Sequence, residues 1–287
     1  MSQAAASGAA STAAVTRRSG PAPRPGRPGN PGRGSGSGRA RLVLAPIVLG
    51  LVAVLLWQAA VSLFGVLPYI VPGPLLIGQE FAANLQNVAN GMLATGRNAL
   101  IGLLIGSVLA VLCAIIAALV RFIDEAVAPV VAAFAVVPIV ALAPVLYTMF
   151  GAGAETARQL VAALAAFVPV YVNTLRGLRQ VRPVHRDLMR SYAASGWQAT
   201  RTVTLPTALP FVFTGLRIAS SLAVISALIA EYFGGPVGGL GKSITSAAAS
   251  SNYGLAWAYV LGSIILGLLF YSAALIVETL VNRRRGG

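Results

Sequence analysis

Charge is what this sequence has least of. Only 10% of its 287 residues are charged, against roughly 25% in soluble domains, and 57% are hydrophobic. A water-soluble globule is excluded on that ground alone. Acidic residues are scarcer still, 7 against 21 Lys and Arg, for a net charge of +14. Such an excess can mark a nucleic-acid surface. Here the arginines sit in an N-terminal tail and in short links between apolar runs, with no basic-aromatic stacking face, so nucleic acid is set aside as a partner. The single cysteine, Cys113, lies within an apolar run, which excludes an intramolecular disulfide and a cysteine metal site and leaves a small packing residue. The single histidine, His185, lies in a polar link six residues before Ser191. No apolar run contains a histidine, so no base for an intramembrane hydrolase is present and the His185–Ser191 pair is not read as catalytic.

Long apolar runs are what the sequence does have. Residues 1–41 are Ala, Gly, Pro, Ser and Arg without an apolar period, a composition expected to stay disordered. The first apolar run begins at Leu42 and is long enough to span, unlike the short core of a cleaved signal peptide. Crossing a bilayer takes about 20 apolar residues. Six segments qualify, at 42–64, 98–120, 127–150, 156–175, 211–233 and 255–280. The expectation is an all-α integral membrane protein with a six-helix domain over 42–282 and a basic end at 283–287. Pro129, Pro138 and Pro144 interrupt the third segment and Pro169 the fourth, so kinks packed against neighbours are expected. Gly102 and Gly106, four apart, offer a close-approach face on the second.

Basic residues orient the spans. With the N-terminus in the cytoplasm, every Lys and Arg falls inside except Arg97, Arg158 and Lys242. Both ends are then cytoplasmic, and so is the long polar link at 176–210.

That link is patterned like a folded element. Pro183 suits the first turn of a helix, Asp187 is expected in that turn near the positive dipole end, and Leu188, Met189 and Tyr192 follow on one face. Ala194, Ser195 and Gly196 are expected to end the helix, with Gly196 as the left-handed cap. A second helical stretch from Trp197 to Thr204 is expected to stop at Pro206 and Pro210. The product is a helix–turn–helix elbow at the membrane surface.

Elsewhere, Gly235 to Ser243 superficially resembles a phosphate-binding loop. That motif needs glycine where Pro236 stands and a preceding strand, so an external turn is expected. Glu231 is an ionisable residue at the outer end of the fifth span, a candidate either for lining the pathway or for capping a neighbour. Asn173 is a candidate for a bond across helices or for pathway lining, and Arg217 is expected to reach the interface.

The segment from Asp187 to Pro206, ending in Val203-Thr204-Leu205-Pro206, resembles the EAA loop of ABC importer inner-membrane permeases with the type I importer fold. Asp187 stands where that family has its Glu, Met189 where it has its second Ala, and Ala193 where it has its Gly. Pro72 with Pro74, Pro138 with Pro144, Phe167 to Thr174, Glu231, and Gly239 with Gly241 are similar to the nitrate, sulfonate and taurine branch. The resemblance implies a permease of a bacterial plasma membrane, without a catalytic site or cofactor of its own. It would pair with a second permease subunit, expected to be a second copy. Two ATPase subunits would bind the ATP and magnesium, and an external substrate-binding protein would deliver the cargo. Coupling to the ATPase would fall to Asp187, Leu188, Tyr192, Ala193, Gly196, Leu205 and Pro206. The implied cargo is a small anion such as a sulfonate, taurine or nitrate, or a vitamin precursor. The competing reading is a secondary transporter driven by an ion gradient. It would be expected to carry paired ionisable groups near mid-membrane, and often an inverted repeat.

Overall fold

A computed structural model describes residues 37–151, 153–236 and 238–283. Most of the expected tail and the last four residues, 284–287, therefore lie outside the described residues. The chain divides into two units, Met1–Leu51 and Val52–Gly287. The described part of the first is the opening of helix α1, Ser37–Leu63, which starts five residues before the apolar run and exposes Leu44, Ile47 and Leu49.

The second unit holds the rest of α1 and ten further helices. They are α2 (Pro74–Ala83), α3 (Leu85–Leu119), α4 (Arg121–Val136), α5 (Ile139–Phe150), α6 (Thr156–Arg179), α7 (Pro183–Ser191), α8 (Gly196–Ala199), α9 (Leu205–Phe233), α10 (Leu240–Ala249) and α11 (Tyr253–Arg283). A π-helical turn, Thr200–Thr204, joins α8 to α9. Among the described residues five helices are long and apolar enough to cross a membrane, and the bent pair α4–α5 makes a sixth where it is counted as one broken span.

The extra length of α3 explains where hydropathy misplaces its start. It runs for 35 residues, but Gln86, Asn87, Asn90, Thr95 and Arg97 dilute its first turns. The polar opening is retained because Thr95 and Asn98 are buried against partners rather than lipid. Ahead of it, Pro74 begins α2, and the Gln58 side-chain oxygen accepts the free Leu75 N–H at 3.0 Å, giving the Pro72–Pro74 stretch its anchor.

Prolines act unequally. Val137, preceding Pro138, is pushed to extended backbone (φ −62°, ψ 127°), and α4 and α5 bend by 104° there. Pro129, Pro144 and Pro169 stay inside helices. Pro206 and Pro210 do not stop the second elbow helix as expected: Gly196–Phe233 runs on as one span of 38 residues. The π turn explains the difference. Leu205 N–H donates to Thr200 O, five residues back, so the ladder is already shifted where Pro206 lacks its N–H. Hydroxyls then serve carbonyls that neighbour the prolines: Thr207 donates to Val203 O at 2.7 Å and Thr214 to Pro210 O at 3.0 Å.

The core is α6, packed between α3 and α9 through small residues. Ala99, Ala110, Ala162, Ala166, Ala219, Ala223 and Ala227 are all buried. Lipid is as apolar as leucine, so helices associate here by close approach rather than by expelling water. Gly102 and Gly106 are the tightest points: a Cβ on Gly106 would lie 2.2 Å from the Ala163 carbonyl oxygen, and one on Gly102 would lie 2.5 Å from Ala162 Cβ. Gly106→Ala is expected to force the α3 and α6 backbones apart and cost about 1–3 kcal/mol, read as a lower unfolding midpoint in detergent. Gly78→Ala, with nothing within 4 Å of the added carbon, is the control and should leave the midpoint unchanged or slightly raised.

Candidate functional site

The elbow folds as two capped helices. Helix α7 ends in a complete Schellman motif: Ala194 N–H donates to Met189 O at 3.0 Å and Ala193 N–H to Arg190 O at 2.9 Å. The left-handed residue is Ala193, at φ +47°, and not Gly196 as expected. Gly196 instead opens α8, behind a capping box in which Ser195 Oγ accepts from Gln198 N–H and Gln198 Oε1 accepts from Ser195 N–H. Asp187 falls past the first turn and pairs with Arg190 at 3.6 Å on the surface. No residue of α7 or α8 is buried. Leu188 is 51% exposed, Tyr192 75% and Trp197 69%, so an apolar patch lies open on a helix pair that is well tied internally. Leu205 and Pro206 stand at the start of α9, which carries the elbow's backbone directly into the core.

At the far end of α9, Glu231 is 0% exposed and its carboxylate is fully engaged. Thr95 Oγ1 lies 3.0 and 2.9 Å from its two oxygens, Gly241 N–H donates at 2.8 Å, and Arg158, 1% exposed, lies at 3.6 Å. Thr95 Oγ1 accepts in turn from Leu240 N–H, so carboxylate and hydroxyl together cap α10. Arg158 donates to Pro236 O at 2.6 Å and to Tyr147 Oη at 3.3 Å. One acid thus joins α3, α5, α6, α9 and α10. Glu231 is thereby seated at the start of α10, with its carboxylate away from solvent. The cluster also accounts for Gly239 and Gly241: a Cβ on Gly239 would lie 2.3 Å from Glu231 Cδ, and one on Gly241 2.3 Å from Leu228 O.

One other residue differs from expectation. Asn173 is half-buried and donates to Pro169 O of its own helix at 2.8 Å, not across helices. Arg217 is partly exposed. It pairs with Glu278 of α11 at 3.0 Å, Thr214 Oγ1 donates to the same carboxylate, and the guanidinium lies 5.9 Å from the Tyr271 ring centre. Sequence reasoning passed over Glu278, Thr95 and Tyr147. An acid inside the last apolar run and a cation inside the fifth were the available signal for the Arg217–Glu278 pair. Ser195 with Gln198 was the available signal for the capping box. Thr95 and Tyr147 carry no local signal, because their partners lie far along the chain. At the opposite end of α6 from Arg158, Arg179 pairs with Asp124 at 2.6 Å.

Ala193→Gly is expected to relieve about 1–2 kcal/mol of left-handed strain and return about 0.4–1 to the freer unfolded chain. Slower amide exchange at Ala194 would register the net gain, with Gly196→Ala near neutral. Glu231→Gln should cost about 3–5 kcal/mol, because it strands a buried arginine. Thermal unfolding checks it, and the double variant Glu231→Leu with Arg158→Met should recover part of the loss.

Residues 102–286 match the family model described as binding-protein-dependent transport system inner membrane component. The chain is 34% identical over 243 residues to the riboflavin transport system permease protein of Chloroflexus aurantiacus, covering 83% of this chain and 88% of that one. It is 26% identical over 234 residues to a putative aliphatic sulfonates transport permease protein of Bacillus subtilis, covering 81% and 84%. The crystal structure of an amino acid ABC transporter with histidines matches the fold with a TM-score of 0.58 at 16% identity, covering 71% of this chain and 96% of that one. These likenesses support an importer permease, a transport subunit rather than a catalytic enzyme, over the ion-gradient transporter. The chain belongs to the family of binding-protein-dependent transport system inner membrane components, the membrane-embedded permease subunits of ABC importers.

Proposed function

We propose that the 183–206 elbow lies in the cytoplasm and is the surface through which an ATPase subunit drives this permease. The observation that supports this is the exposed patch of Leu188, Tyr192 and Trp197 on a capped helix pair whose backbone continues without a break into α9. A hinge at the α8–α9 junction would dissipate a push. A continuous helix, even with a π turn, passes it along α9 toward the Glu231 cluster at the other end. Asp187 and Ala193 shape the elbow, and Leu205 and Pro206 form its junction with the span. Arg182, Arg186 and Arg201 beside the patch suit an acidic rim around an apolar groove on the partner.

The same reading places both chain ends in the cytoplasm and pairs the permease with a second copy of itself. Two ATPase subunits carry ATP and magnesium, and an external binding protein supplies the cargo. This chain then contributes the pathway and the coupling, with no catalytic site. Its cargo is a small anion, such as a sulfonate, taurine or nitrate, or a vitamin precursor.

Replacing Asp187 with Asn and Tyr192 with Ala together is expected to uncouple ATP hydrolysis from uptake in the reconstituted importer and to weaken co-purification of the ATPase. Unchanged transport and co-purification would overturn the docking role. Impermeant labelling of cysteine at Ser191 from the cytoplasmic face alone checks the orientation.

A further inference from the structure

At the same end of the bundle as Glu231, a second polar feature is left without a partner. Arg97, Arg158 and Lys242 are the basic residues expected at this end. Arg97 pairs with Glu155 and Arg158 with Glu231, whereas Lys242 has no carboxylate among the described residues. Lys242, the third residue of α10, is half-buried and lines a cavity of about 280 Å³ between α10 and α11. Ser243, Ser246, Ser250 and Tyr259 share that lining. The Ser250 hydroxyl is committed to carbonyls of its own helix, at 3.0 Å from Ser246 O and 3.1 Å from Ala247 O. Those of Ser243 and Ser246 have no partner among the described residues.

Lys242 is partly exposed and no carboxylate of the described residues pairs with its ammonium, which leaves it available to an anion from outside the chain. Two uncommitted hydroxyls beside it supply further donors, and no acid lines the cavity to compete. We propose that Lys242, Ser243 and Ser246 form a contact site for the oxyanion group of a small substrate, a sulfonate, carboxylate or nitrate. The cavity, about 280 Å³, has room for a compact anionic group. The inference rests on the importer reading for how the anion arrives, but not for the pocket's chemistry.

Full-length protein in phosphatidylcholine nanodiscs, titrated with trifluoromethanesulfonate and followed by fluorine NMR, tests it. Line broadening reversed by methanesulfonate or nitrate is expected. Lys242→Gln should weaken binding about tenfold, the loss of one charge-assisted contact, while Lys242→Arg restores it. Ser246→Ala should weaken it less. Broadening that is absent, or unchanged in Lys242→Gln at an unaltered unfolding midpoint, overturns the site. Displacement of the probe by phosphatidylglycerol in the disc assigns the pocket to a lipid phosphate and overturns the substrate assignment. Failure of the ATPase to co-purify would instead overturn the docking proposal and leave probe binding intact.

Discussion

A carboxylate shut away from water governs the far end of this helix bundle. Glu231 has no solvent to fall back on, so each of its oxygens must find a donor within the protein. Those donors come from Thr95, Gly241 and Arg158, which lie on three different helices. The requirement fixes where α10 begins, because its first N–H groups are the ones satisfied. It also explains the glycines at 239 and 241, where any side chain would occupy the volume of the carboxylate or of a backbone carbonyl. A buried pair of this kind is weak evidence for stability but strong evidence for a defined geometry, since loss of either partner leaves the other stranded.

The middle of the bundle obeys a different rule. With lipid outside, apolar side chains gain little by facing one another, and what holds α3, α6 and α9 together is contact at short range between alanines and glycines. Larger side chains face outward, as the exposure of Leu104, Ile105 and Leu109 on α3 shows. At the elbow the logic turns again. There the backbone is well capped while the apolar side chains are left uncovered, the reverse of a packed core. Rigid backbone with an uncovered apolar face is what a partner-binding element requires.

Patterns local in the chain were legible in advance. The apolar runs, the Gly102–Gly106 spacing and the elbow between two polar helices all depend on neighbours within a few residues, and the structure contains each of them. The misjudged details were ones in which a competing interaction decided the outcome. Gly196 is the intrinsic choice for a left-handed cap, yet the Schellman register places Ala193 there. Pro206 and Pro210 are helix breakers by propensity, yet a π turn precedes them and the helix runs on through both.

The order of residues by itself determined that the chain crosses a membrane several times, which links are basic, and that one polar link folds into a capped helix pair. Hydropathy, charge bias and turn chemistry are properties of short windows, and they survive without any knowledge of the fold. Only the tertiary structure decided which ionisable groups neutralise one another. Thr95 and Glu231 are 136 positions apart and Arg217 and Glu278 are 61 apart (278 − 217), and such partners meet only once the helices have packed.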